Sequence, residues 1–330
     1  MNAQGHFIRR GVQMATILST LVLPAHAEGV GEVVSKVRTA LGIDAFESQG
    51  KAVRLSGPLS LVGTDGTHTL VFDAAGRFTQ SHDTKSVSID TAFDGKTMRI
   101  RDMGGEVCDE TLGDRTGSLV ESWAATGLAF TKDQSKAFHI DKEASEDDGI
   151  VLRMDLDEGR GWAKVTVDRE TWLPGQWTYG GATGSSTIHL DEYSKVGPLQ
   201  VPKRIRTVTE NGGETVVQVE HAELVKPPDW QVELAAVKPP NNVSFDANAK
   251  SKLEVKRAPT GHLLVHPTVG GTDIGWFIFD TGAGENVLDT RAVKASRIKT
   301  FGTIPAVGVG GAINASLCRP PSLKLGPMTL

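Results

Sequence analysis

The chain has 330 residues, a net charge of −5 and 23% charged residues, and no basic stripe of the kind nucleic-acid binding requires. Its 39% hydrophobic content is that of a water-soluble globular protein, and its length accommodates two domains of ordinary size. With 37 glycines and only 6% aromatic residues, the composition suits strands and turns better than a helical bundle, so the expected class is mainly β.

The N-terminus reads as an export signal. Arg9-Arg10 precede a short apolar stretch, Val12–Leu23, and Ala25-His26-Ala27 gives a small-x-small pattern with cleavage expected after Ala27. The stretch is too short to span a bilayer comfortably, and no later segment reads as a membrane span, so residues 1–27 are expected to direct a periplasmic or secreted protein. Cys108 and Cys318 fall in different expected domains and are read as separate thiols; they cluster with no histidines, so no metal or cofactor is expected.

Apolar residues recur at helical spacing in Val30–Phe46, through Val33, Val34, Val37 and Leu41, which predicts an amphipathic helix. From Lys51 the period shortens. Val53, Leu55, Leu59 and Leu61 lead into a hairpin turn expected at Asp65-Gly66. Strands are expected at 69–72, 77–80 and 96–102, and a helix at Ser118–Thr126. Alternation is clearest at Ile150–Leu156 and Trp162–Val167. Further strands are expected at 176–179, 185–193, 203–209 and 214–224. Residues 28–232 therefore read as one antiparallel meander, a curved half-barrel with helices, around a groove.

Lys238-Pro239-Pro240 cannot continue a central strand, and 233–258 is read as a linker. A smaller β unit follows at 259–330. His262–Val269 is its first strand, Gly270–Asp273 a turn, and Gly275–Phe279 a return strand delivering Asp280-Thr281-Gly282. His262 and His266, four residues apart on an expected strand, read as ordinary strand histidines. Asp155, Asp157 and Glu158 read as a charged hairpin end without the further ligands a calcium loop needs. No glycine loop follows a strand and opens a helix, so nucleotide binding has no support.

An acid at the end of an apolar strand lies where ionisation is costly, and a glycine behind it lets backbone approach. The run Phe277–Ala283, Asn286-Val287-Leu288, the glycine-rich Val307-Gly308-Val309-Gly310-Gly311 and Ser322–Pro327 together resemble a retropepsin-type aspartic peptidase domain. That resemblance implies Asp280, braced by Thr281 and Gly282, as one half of a dyad completed by a second copy in a homodimer. It also implies a flap at 307–311 and a peptide or protein substrate. The hydrophobic-glycine segment that completes such domains finds no match before Leu330, so a domain lacking its C-terminal part is expected.

The starting helix, the many strands, Phe93-Asp94-Gly95, Asp168–Pro174 and Asp191–Tyr193 followed by Gly197–Pro202 resemble LolA-type lipoprotein-carrier domains. This second resemblance implies a half-barrel over helices that holds an apolar ligand. Two functions follow as expectations: an exported aspartic endopeptidase, or a carrier of lipid, lipoprotein or peptide with a vestigial peptidase tail.

Overall fold

The computed structural model describes residues 29–110, 116–132, 134–141, 149–156, 161–181, 184–210, 212–249, 252–281, 286–308 and 311–330. The expected export signal at 1–27 lies outside these residues.

Helix α1 (Val30–Leu41) buries Val33, Val34, Val37 and Leu41, the face given by the sequence period. It does not run on to Phe46. Gly42 adopts φ 76° and donates its N–H to the Arg38 carbonyl at 2.9 Å, closing the helix before α2 (Ile43–Glu47). A Cβ at this position would also sit 1.9 Å from the Pro198 carbonyl oxygen, so glycine is required twice over. The buried Arg38 guanidinium ties this corner together by donating to Asp44, Glu47 and the Phe130 carbonyl.

Strands β1 (Ala52–Leu61) and β2 (Thr64–Asp73) form the first hairpin. Its turn is Val62-Gly63, both at positive φ, and not Asp65-Gly66 as expected. Gly66 serves packing instead: it lies within β2, where a Cβ would meet the Asp83 carbonyl oxygen at 2.1 Å. The meander continues through β3 (Phe78–Thr84), β4 (Ser88–Phe93), β5 (Met98–Arg101) and β6 (Val107–Glu110). Helix α3 (Thr116–Thr126) then crosses before β7 (Phe138–Ile140), β8 (Gly149–Leu156) and β9 (Gly161–Asp168). The last strands are β10 (Pro174–Gly181), β11 (Gly184–Val196), β12 (Leu199–Thr209), β13 (Glu214–Gln218) and β14 (His221–Val225).

These make one antiparallel sheet of 14 strands in the order β6-β5-β4-β3-β2-β1-β13-β12-β11-β10-β9-β8-β7, with β14 also on β1. Both edges are therefore contributed by the middle of the chain, and the first hairpin is central. Strand β1 changes partner along its length, pairing with β14 at 52–56 and with β13 at 59–61. Between them, Gly57 admits the Gln218 carbonyl oxygen at a distance no side chain would allow.

The strand period sorts side chains by face. Val53, Leu55, Leu59 and Leu61 on β1, Leu70 and Phe72 on β2, and Leu152, Met154, Val165 and Trp177 further round all bury in one core with α1, α2 and α3. Opposite-parity residues Ala52 and Val71 meet Trp230 on the other face.

The second part is built from short pieces. Helix α4 (Trp230–Ala236) leads to β15 (Ser244–Phe245), β16 (Val255–Arg257), β17 (Leu263–Val265), β18 (Thr268–Val269), β19 (Thr272–Asp273) and β20 (Phe277–Ile278). Then come α5 (Thr290–Ala295), β21 (Thr300–Gly308), β22 (Gly311–Cys318), β23 (Leu323–Leu325) and β24 (Met328–Thr329). The stretch 233–258, read as a linker, follows directly on the first turn of α4. Trp230, Leu234 and Val237 of α4 and its end bury against the large sheet, while β15 and β16 pair within the second part. The anchor is chemical as well as apolar: the Trp230 indole donates to the buried Asp73 carboxylate at 3.1 Å, which also accepts from Arg77.

The expected strand His262–Val269 is split into β17 and β18, which join different sheets. Pro267, between them, has no N–H for a continuous ladder. The return strand shrinks to the two residues of β20. Cys108 and Cys318 lie in different sheets, on β6 and at the end of β22.

Candidate functional site

The concave face of the large sheet holds a partly open cavity of about 220 Å³. Strands as distant in sheet order as β5 and β11 contribute to one lining, which requires the sheet to curve. Leu61, Leu70, Ile89, Ile100, Ile188, Ile205 and Val217 supply apolar walls, and α3 crosses with Ser118, Glu121 and Ala125. Its helix is held there by Val120, Trp123 and Ala124, all buried in the main core.

Within this apolar frame lies a polar cluster. His68 on β2 and Gln80 and His82 on β3 take the inward positions of the same parity as Leu70, Phe72 and Phe78. His68 is directly opposite His82 across the ladder, with ring centroids 4.9 Å apart. His68 is 2% exposed, and neither of its ring nitrogens has a hydrogen-bond partner among the described residues. Nε2 of His82 lies 3.0 Å from the Gln80 side-chain nitrogen, so it accepts from that amide and leaves the proton on Nδ1. Thr91, Thr207 and Thr215 add hydroxyls to the lining.

Burial sets the charge states. Desolvation, with His82 adding repulsion, brings His68 down from 6.5 to about 3. Desolvation brings His82 down to about 4, against an opposing pull from Asp90. Desolvation pushes the Glu121 carboxyl up, partly offset by the Tyr179 hydroxyl, which donates to it at 2.9 Å. Both imidazoles are thus neutral near pH 7, and Glu121 and His82 line the cavity. This arrangement can bind an apolar group and offer it neutral donors and acceptors. Those residues were absent from the sequence-based candidates, although polar side chains at core parity in an alternating strand are a legible signal.

The sequence candidates lie elsewhere. Asp280 and Thr281 follow β20 and are exposed, and Gly282 lies outside the described residues. Ile278 and Phe279, expected to bury the acid, are themselves 57% and 54% exposed. In the hairpin of β21 and β22, Val307 pairs opposite Ala312 and Gly308 opposite Gly311, while Val309 and Gly310 lie outside the described residues. This hairpin docks on the large sheet. The Thr303 N–H donates to the Val62 carbonyl, Phe301 and Leu317 pack on the main core, and Arg319 donates to the Ser86 carbonyl at 2.7 Å. His266 sits on Asp273 at 2.7 Å and stacks on Trp276, and Lys256 Nζ lies 4.0 Å from the centroid of the same indole. His262 bonds Thr260. Both histidines flank β17 and are occupied locally.

No protein-family model matches the chain, and no curated protein matches it. Among solved structures it is similar to a domain described as an outer membrane lipoprotein-sorting protein from Vibrio parahaemolyticus. Identity there is 9% over 63% of this chain and 97% of the other, with a TM-score of 0.41. It is similar to a DUF1329 family protein from Desulfovibrio piger at 12% identity, over 62% and 99% of the two chains, with a TM-score of 0.41. A LolA superfamily protein from Nitrosomonas europaea aligns at 12% identity over 62% and 96%, with a TM-score of 0.35. Likeness at this level carries no argument about ligand.

None of the three is named as a peptidase, and the reading of the chain as a hydrolase is corrected on the surroundings of Asp280. The physical reason is visible at β20: the strand is too short and too exposed to place Asp280 in a water-excluded site. The homodimer and peptide substrate rested on a shared Asp dyad and lose that premise. Among the described residues, no helix is long and apolar enough to cross a membrane.

Proposed function

We propose that this protein is a carrier or binding protein that holds an apolar ligand in the concave face of its large sheet. The observation that carries this reading is the cavity itself, walled by aliphatic residues of β1, β2, β4, β5 and β11–β13 and crossed by α3. A folded core ordinarily closes such space, because unfilled volume forfeits packing contacts. An interior lined by aliphatic walls with a few convergent polar groups is the usual form of a small-molecule site. The leader-like residues Arg9-Arg10, Val12–Leu23 and Ala25-His26-Ala27 support assigning this role to an exported protein.

Protein prepared without detergent is expected to yield apolar small molecules on solvent extraction and mass spectrometry. Stripped protein is expected to bind the neutral fluorophore phenylnaphthylamine saturably, with Ile188→Glu abolishing the signal while the far-UV spectrum is kept. Absence of both the extract and the saturable signal would sink the reading.

A further inference from the structure

Burying a polar atom without a partner destabilises a fold, because the bond it made to water is not replaced. The two ring nitrogens of His68 are such atoms, on a side chain 2% exposed that lines the cavity. A core needing only volume at this position could use leucine or phenylalanine, the residues at Leu70 and Phe72 on the same face. Neither neighbouring polar group serves the imidazole: the His82 ring meets it tilted by 40° and takes its hydrogen bond from Gln80, and Glu121 takes its own from Tyr179.

We propose that the His68 side of the cavity is a subsite for the neutral polar end of an otherwise apolar ligand, a hydroxyl or amide that both donates and accepts, with His68 as the residue that selects it. The inference rests on the carrier reading above and names the ligand class. A neutral imidazole presents one N–H donor and one bare nitrogen acceptor on the same ring, the complement of a hydroxyl or an amide. A carboxylate is disfavoured because the burial that pushes the Glu121 carboxyl up would desolvate it in the same way. An ammonium is disfavoured because both imidazoles resist positive charge here. The aliphatic walls opposite then take the rest of the molecule, and Thr91, Thr207 and Thr215 lie on the same lining.

The test uses the full chain, stripped of bound lipid, titrated with octanol, octane, octanoate and octylamine by calorimetry and by nitrogen NMR of the histidine rings. Octanol is expected to move the His68 ring resonances where octane does not. His68→Phe is expected to weaken octanol about tenfold, the worth of one hydrogen bond to a buried partner, while leaving octane unchanged or tighter. His68→Gln, which keeps a donor and an acceptor, is expected to retain octanol. If His68→Phe does not fold, the ring resonances of the wild-type protein decide alone. Octanol and octane both binding without moving those resonances would overturn the subsite and leave the carrier reading standing. Tightest binding of octanoate or octylamine would overturn the neutral class. Failure of all four would overturn the subsite and the carrier reading together.

Discussion

The large sheet and the C-terminal part solve the same problem at different scales. In the sheet, 14 strands and three helices share one core, and Phe46, Phe72, Phe78 and Trp177 are fully buried. In the C-terminal part, sheets of five, three and two strands are made mostly of two- and three-residue strands. There Phe245 is 70% exposed and Val287 74% exposed. The difference shows that a motif acquires its chemistry from burial. Asp280-Thr281-Gly282 has the right residues in a place that excludes little water, whereas His68, Gln80, His82 and Glu121 form no motif but share a desolvated cavity.

The sharpest break of this contrast compares core residues. Phe72→Ala in the large sheet is expected to cost about 3–5 kcal/mol in urea unfolding, from lost burial and a residual cavity. Phe245→Ser in the C-terminal part is expected to stay within about 0.5 kcal/mol, since the ring is largely in water already. Similar costs at the two sites would erase the distinction.

Trp230→Phe probes the join between the two parts. It keeps the aromatic bulk against Ala52 and Val71 but strips the indole donor from the buried Asp73 carboxylate. The expected loss is about 1–3 kcal/mol by the same unfolding measurement, with Asp73 retaining its bonds from Arg77.

Acid tests the cavity. Both imidazoles have folded pKa values below 6.5, at about 3 for His68 and about 4 for His82. Below 6.5 the unfolded chain therefore binds more protons than the folded one, and their contribution to stability falls as pH drops from about 6.5 towards 4. Glu121, pushed up by burial, works in the opposite sense, its contribution being lost as pH rises through its folded pKa. The expected outcome is stability lost between pH 7 and 4.5 with a slope that is flattened in His68→Phe. A slope unaltered by that substitution would show that His68 titrates as an exposed group.

A small effect is also expected at the motif that stands out in the sequence. Asp280→Asn should change stability by under about 1 kcal/mol and leave phenylnaphthylamine binding unchanged, because the residue is exposed and remote in sequence from the cavity lining.

Much of the large sheet was legible from alternation. Ile150–Leu156 and Trp162–Val167 appear as β8 and β9 with the expected faces, and the helix read at Ser118–Thr126 appears as α3, begun two residues earlier. Misplacements came where glycine served a tertiary need. Gly42 ended a helix against Pro198, and Gly66 accommodated Asp83 in place of making a turn. The polar cluster within the groove was missed because His68 and His82 lie 14 residues apart, and only the β2–β3 register sets them opposite each other.

Sequence by itself determined the class of this protein, since residue period and turn chemistry are local properties that each segment carries alone. It also marked which face of each strand would be buried. Tertiary structure alone decided which of those faces close completely and which retain a space. Burial depends on how many strands converge, and that is a property of the assembled sheet. Fourteen strands curve far enough to desolvate His68 and Glu121, and the short strands around Asp280 do not.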